Sequence, residues 1–383
     1  MSSKKQIHPK YSVAASAITK AGGTPMPTND TLLELLTYYI NEDELDFVAA
    51  FENQTSQTME QLKASTGLSE AEIEKKATDL AARGVIFNQP NRAGVMVYRL
   101  LPMLNVGIFE YTFMKKIEDT PRNREISALF YKLKEGFKEF IKHNYDQVIP
   151  LMLKAPPIDR TVPMTQNKAT GKRVEIKVNK SLEVPPERIL PSQEVEDIIN
   201  KFDEIAVGHC FCRHYRDLLG RSCQQTDDRE ACFTFGKSAR YTSSQGFARM
   251  ITREEALDIL KRSADAGLVH KAYHPNFNVD KDETSICNCC RCCCGNSVEN
   301  SQGVVRNTTN YLAIIDPQMC TGCGTCVDKC HTHAAYLDDN GKAARLEDHC
   351  IGCGVCAVFC PENAVSLQEG ERVVRIPVAK KVE

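Results

Sequence analysis

Cys320-Thr321-Gly322-Cys323-Gly324-Thr325-Cys326-Val327-Asp328-Lys329-Cys330 and Cys350-Ile351-Gly352-Cys353-Gly354-Val355-Cys356-Ala357-Val358-Phe359-Cys360-Pro361 are two copies of one spacing, C-x2-C-x2-C-x3-C, about thirty residues apart. A short loop with inward-pointing amides can present three thiolates to three irons of a cubane, and small residues let the chain wrap closely; Gly322, Gly324, Gly352 and Gly354 supply that wrap. The fourth cysteine of each copy is expected at the start of a helix, too far around to close its own cluster, so it ligates the other one. The spacing therefore predicts one 4Fe-4S cluster on Cys320, Cys323, Cys326 and Cys360, and a second on Cys350, Cys353, Cys356 and Cys330. The copies differ at one notable point: His331 stands where the second has Pro361, so the surroundings of the two clusters, and hence their potentials, need not match.

Residues 311–370 resemble the dicluster bacterial ferredoxins, with Tyr311–Ile315 as an entering strand and Ala364–Leu367 as a return strand. The resemblance implies a pseudo-twofold module that moves single electrons, with low potentials near about -400 mV expected. More broadly, Cys210-Phe211-Cys212-Arg213 and the Cys287–Cys294 run make the whole chain similar to large 4Fe-4S dicluster proteins of anaerobes that join a cysteine-rich middle to a C-terminal ferredoxin. That similarity implies electron delivery in anaerobic redox metabolism.

The chain has 383 residues and 18 cysteines, and none of these falls in the first 209 residues. Secreted disulfide scaffolds are short, so a long cysteine-free globular portion argues for metal binding in a reducing cytosol. Residues 1–10 lack an apolar signal core, no window reaches the length of a membrane span, and a cytoplasmic protein is expected. A formal net charge of -2 gives no electrostatic reason to expect nucleic acid or an anionic membrane.

The middle of the chain, residues 192–300, reads as a cysteine-rich α-helical domain with Cys210, Cys212, Cys223 and Cys232, then Cys287, Cys289, Cys290, Cys292, Cys293 and Cys294. Six cysteines within eight residues cannot all ligate one ion, because adjacent side chains of an extended backbone point to opposite faces. Some of the first four are expected to meet the later run, holding a third iron-sulfur cluster or zinc; metal-free redox thiols are the remaining alternative. Arg213, His214 and Arg291 lie beside cysteines in sequence and could lower thiol pKa values, while His209, His214, His270 and His274, taken singly, read as structural or surface residues. Helices are expected over Gln193–Val207 and Arg253–Ala266.

Residues 28–101 read as helices, a glycine turn at Gly67, a helix capped by Ser69 with Glu72 in a capping box, and a hairpin with its tip at 91–94. A second helix is expected over Asp43–Phe51. The order resembles a winged helix. Its recognition-helix equivalent carries Glu70, Glu72, Glu74 and Asp79 against Lys75, Lys76 and Arg83, so phosphates would repel it, and protein interaction or scaffolding fits better than DNA. Residues 102–154 form a helical extension, with an amphipathic helix from Thr120 to Val148. Proline-rich 155–191 reads as a linker or an extended arm with one hairpin at Arg173–Val184.

The fold class is thus multi-domain α+β. The leading function is an electron-transfer protein serving a redox partner or a larger oxidoreductase complex. The alternatives are an oxidoreductase with a cysteine-ligated central centre and an iron-sulfur regulator that uses the winged helix. No G-x-G-x-x-G, Walker loop or metalloprotease helix is present, which weakens the enzyme alternative, and no catalytic residue is assigned.

Overall fold

Caps written into the sequence set the first helices. Asn29 accepts a hydrogen bond from the Leu32 N–H to start helix Asp30–Leu36, and Thr58 with Gln61 and Ser69 with Glu72 form capping boxes for helices Met59–Thr66 and Glu70–Ala82. Gly67 closes the earlier of these two in the left-handed region at φ 72°. The computed structural model describes residues 7–22, 26–91, 93–154, 159–177, 194–274, 281–295, 305–307, 309–369 and 375–377. Helix and sheet are mixed, as the α+β expectation has it.

The chain divides into two compact units, the first comprising residues 1–140, 211–222 and 239–249. Strand Ser56–Thr58 and hairpin Ile86–Pro90/Met96–Leu100 form a three-stranded sheet with the last-named strand central. Ile18, Leu35, Phe47, Phe51, Leu62, Ile73 and Leu80 belong to its buried core. The later segments lock in through aromatic contacts: Phe109 and Phe130 have ring centroids 5.0 Å apart, Phe113 and Tyr215 5.6 Å, and the Tyr241 hydroxyl donates to the Ile86 carbonyl at 2.9 Å. The helix expected over Asp43–Phe51 is shorter, Leu45–Ala49 after a 3-10 turn at Glu42–Glu44. The one expected over Thr120–Val148 is broken into Pro121–His143 and Tyr145–Lys154.

The second unit, residues 141–210, 223–238 and 250–383, corrects the expectation of an α-helical middle. A six-stranded antiparallel sheet runs in the order Asp159–Val162, Val269–Tyr273, Ser285–Cys289, Glu230–Phe235, Ile205–His209, Arg249–Ile251. The expected helix over Gln193–Val207 stops at Asn200, because Ile205 and Val207 alternate as strand residues and pair with Phe235 and Phe233. Helix Arg253–Asp265 forms as expected, with Thr252 accepting from the Glu255 N–H.

The alternation sorts the sheet into two chemically different faces. Val162, Ile205, Val207, Phe233, Phe235, Ala272 and Ile286 share a core with Ile198, Ile199, Ile259 and Leu260 of the two helices. Registers place Asp159, Thr161, Lys271, Tyr273, Cys232, Cys287 and Cys289 on the opposite face.

The linker expectation for 155–191 is also corrected. Asp159–Val162 is a sheet strand, Gln166 and Arg173 form an isolated bridge, and Ile176–Lys177 adds in parallel to strand Val365–Glu369. Pro163 directly follows the edge strand Asp159–Val162, where no ladder N–H is required. Most of the expected hairpin at Arg173–Val184 lies outside the described residues. Tyr311–Ile315 pairs antiparallel with Val365–Glu369, the entering and return strands expected of the C-terminal module.

His270 tests the sheet's buried face. Its Nδ1–H donates to Asn288 Oδ1 at 2.6 Å, and burial lowers its pKa to about 4. Above about pH 6.5 both folded and unfolded chains carry it neutral, and as pH falls toward 4 only the unfolded chain gains the proton, so stability is lost in that window. His270→Gln should flatten the decline in urea-unfolding free energy between about pH 7 and pH 5, where this one residue contributes roughly 2 kcal/mol. Parallel wild-type and variant curves would mean the ring is hydrated in the native state.

Candidate metal centres

Cys320, Cys323, Cys326 and Cys360 line one cavity, together with Ile315, Ala343 and Val365. Two stretches of chain thus deliver one set of four sulfurs. The Ala343 N–H points to Cys320 Sγ at 3.4 Å and the Ala364 N–H to Cys360 Sγ at 3.3 Å. Hydrogen bonds from Thr325, its hydroxyl first and its N–H next, lower the Cys323 pKa, while burial raises that of Cys326. Soft donors, inward amides and a cavity walled by four sulfurs fit a 4Fe-4S cubane.

The other four cysteines form a second electrostatic group. Burial pushes the Cys353 thiol up to about 12, and negative charge on Cys330 and Cys350 adds to the rise. Cys356 is raised well above the ordinary thiol value by burial first, then by Cys353, Cys350 and Cys330, with Cys326 of the first group also within reach. Cys353 and Cys356 resist ionisation on their own, and a cationic iron core would stabilise them as thiolates. The Ala334 N–H donates to Cys330 Sγ at 3.2 Å.

The local duplication carries through to the backbone. Gly322 and Gly352 have φ of 76° and 68°, Gly324 and Gly354 have 78° and 76°, and His333 and Asn363, each three residues after a fourth cysteine, both stand at 53°. One expectation is corrected: Cys330 and Cys360 lie just past the ends of short helices Thr325–Lys329 and Val355–Val358, and it is the third cysteine of each copy that lies in the helix.

Their surroundings differ. Cys323 is exposed, whereas the second loop is covered: the Met164 N–H donates to the Cys353 carbonyl at 2.9 Å, the Lys168 N–H to Val358 at 2.9 Å, and the Asn167 amide to the carbonyls of Ala357 and Cys360 at 2.9 and 3.0 Å. Met164 and Asn167 escaped sequence reasoning because they sit in the stretch taken for a linker, with no motif around them.

The central cysteines separate into groups. Cys223, Cys290, Cys292 and Cys293 bring their sulfurs together, all within 4.8 Å of one another. The Cys223 and Cys292 sulfurs are 3.5 Å apart, those of Cys292 and Cys293 are 3.7 Å apart, and the Cys293 N–H donates to Cys290 Sγ at 3.3 Å. Cys223 is held well below the ordinary thiol range by hydrogen bonds from Cys290, Cys292 and Cys293. Gln225, unmarked by any motif, ties the loops: its amide donates to the Ala266 and Gly267 carbonyls at 2.9 and 3.0 Å and accepts from the Arg291 N–H at 3.0 Å.

Cys232, Cys287 and Cys289 lie on the thiol-bearing face of the sheet, and Cys289 and Cys294 are buried in the same apolar cluster as Ala313, Cys326 and Val358 of the C-terminal module. Beside them, Lys271 Nζ donates to Asp159 Oδ2 at 2.6 Å, with side chains 5% and 4% exposed. Cys287, Asp159, Cys289 and Cys294 all act electrostatically on Tyr273, after burial, to raise its pKa. Cys210 is buried at the end of strand Ile205–His209, after a register shift at Gly208/His209, and Cys212 is buried on helix Phe211–Leu218 of the first unit.

Of the residues flanking the cysteines, His214 Nδ1 bonds the Phe113 carbonyl at 2.8 Å, and the Arg291 guanidinium donates to the Asp328 carbonyl. His270 and His274 hold Asn288 and the Lys281 carbonyl. His209 is half-buried and Arg213 fully buried.

Fold and site together define a protein with an iron-sulfur module at its C-terminal end. A family model described as a 4Fe-4S dicluster domain matches residues 319–365, which supports 4Fe-4S binding there. No curated protein and no solved structure matches the chain.

The glycines offer a paired test. An added Cβ at Gly354 would stand 2.2 Å from the Met164 carbonyl oxygen, whereas at Gly324 it would meet open space. Gly324→Ala should cost only the left-handed backbone penalty, about 1–2 kcal/mol. Gly354→Ala should cost more and selectively lower iron content. Equal iron content and equal Tm for the two variants would contradict the tight cover over the second loop.

Proposed function

We propose that this chain is an electron carrier with two 4Fe-4S clusters, one on Cys320, Cys323, Cys326 and Cys360 and the other on Cys350, Cys353, Cys356 and Cys330. The observation that carries this is the shared cavity, where Cys360 joins three cysteines 34 to 40 residues before it. When bound, the clusters supply one-electron redox chemistry. The protein's part is environmental. N–H groups of Ala343, Ala364 and Ala334 donate to sulfur and so favour the reduced, more negative state.

The asymmetric cover supports a direction of docking. The first loop exposes Cys323, and Met319 next to Cys320, Tyr336 and Leu337 on the hairpin and Leu346 just after it are all more than 40% exposed. Hairpin Ala335–Leu337/Ala343–Arg345 is fixed to that loop by Lys342, whose Nζ donates to the Cys320 carbonyl. An apolar rim beside a redox centre suits a transient redox protein partner. The second loop faces inward beneath Met164–Lys168. Replacing Cys323 or Cys353 by Ala should each remove about four irons per chain and one component of the reduced low-temperature EPR spectrum. Unchanged iron in both variants would sink the ligand assignment.

A buried feature favours a third redox centre in the middle. The Lys271–Asp159 pair, Tyr273, Cys232, Cys287, Cys289 and Cys294 converge on one face of the sheet, and Cys289 and Cys294 share an apolar cluster with the C-terminal module. A buried ion pair is costly unless something uses it. On this basis the wild type should contain about twelve irons and Cys289→Ser about eight. About eight irons in both would leave this face a structural one.

A further inference from the structure

We propose that Cys223, Cys290, Cys292 and Cys293 hold a single zinc ion in a closed, structural tetrathiolate site. Four sulfurs bound to one ion at about 2.3 Å in tetrahedral directions stand about 3.8 Å apart. The Cys223–Cys292 and Cys292–Cys293 separations, 3.5 and 3.7 Å, and the 4.8 Å ceiling over all pairs have that scale. A cubane requires wider spacing, because each sulfur binds a different iron corner. Among the described residues, none of the eight C-terminal motif cysteines belongs to so tight a group, although their spacing is that of cubane ligands.

The donor set selects the metal. Four thiolates in tetrahedral array suit zinc, whose filled d shell imposes no geometric demand of its own and so tolerates the adjacent pair Cys292–Cys293. Three of the four ligands are buried and the fourth half-buried, and Leu268 and Ala266 pack against them, leaving no open position for a substrate. The Cys293 N–H on Cys290 Sγ supplies the outer-shell hydrogen bond such sites use. Gln225, two residues past Cys223, holds the Arg291 N–H and the Ala266 and Gly267 carbonyls, so the ligand loops are positioned by the fold as well as by the ion. The site staples the loop at 223 to the turn at 290–293 and fixes the chain where it leaves strand Ser285–Cys289. It is independent of the two C-terminal clusters, so zinc and iron report separately.

The test is zinc, iron and acid-labile sulfide content of the full chain purified without oxygen, with zinc K-edge absorption on the same sample. About one EDTA-resistant zinc per chain with a shell of four sulfurs at about 2.3 Å is expected. Cys292→Ser and Cys223→Ser should lose most of the zinc while iron content and the reduced EPR spectrum stay as in the wild type. Should either variant fail to fold, the wild-type absorption edge still decides, since it needs no substitution. A wild type free of zinc, a shell containing nitrogen or oxygen, a mononuclear iron in its place, or iron lost from Cys292→Ser would each overturn the assignment.

Discussion

A loop of C-x2-C-x2-C reaches only three corners of a cube, and the fourth sulfur has to come from another part of the chain. In the C-terminal module that constraint couples everything else. Cys360 can join Cys320, Cys323 and Cys326 only if the two loops face one another, which the antiparallel pairing of Tyr311–Ile315 with Val365–Glu369 arranges. Short helices precede the fourth cysteines, and matched left-handed residues, His333 and Asn363 among them, bring the following alanine N–H groups back onto sulfur. A side-chain Cβ is absent where the loops press against backbone, as Gly322 does against the Gly341 carbonyl and Gly352 against that of Tyr311.

The central sheet supplies the rest of the setting. Its alternation sends large apolar residues to the helices and leaves thiols, a lysine, an aspartate and a tyrosine on the other face. That face joins the apolar cluster of the C-terminal module, while the stretch from Met164 to Lys168 closes over the second cysteine loop. Two near-identical motifs therefore meet different surroundings, one open to solvent and one enclosed. Burial and hydrogen bonding are the levers a protein has over the potential of an iron-sulfur cluster, and in both respects the two motifs differ.

Much of this was legible along the chain. The caps at Asn29, Thr58, Ser69 and Thr252 use local hydrogen bonds within one turn, so residue order alone reveals them. The paired cysteine motifs were equally plain, and the structure places Cys360 beside Cys320, Cys323 and Cys326 in one cavity. The middle was misread because its strands are short and interrupted by cysteines, whose small apolar side chains carry little signal for helix or strand, and because the prolines near Asp159–Val162 looked like a linker.

Residue spacing by itself determined that this protein carries two copies of the C-x2-C-x2-C-x3-C run, since such spacing is a local property of the chain. Only the tertiary structure decided which of the ten central cysteines meet: Cys223 finds Cys290, Cys292 and Cys293 across a gap of 67 residues, while Cys232 lies in register with Cys287 on the sheet. Such meetings are set by strand register and by unmarked side chains such as Gln225 and Asn167. Their hydrogen bonds join residues far apart in the chain, and no local pattern of residues encodes that distance.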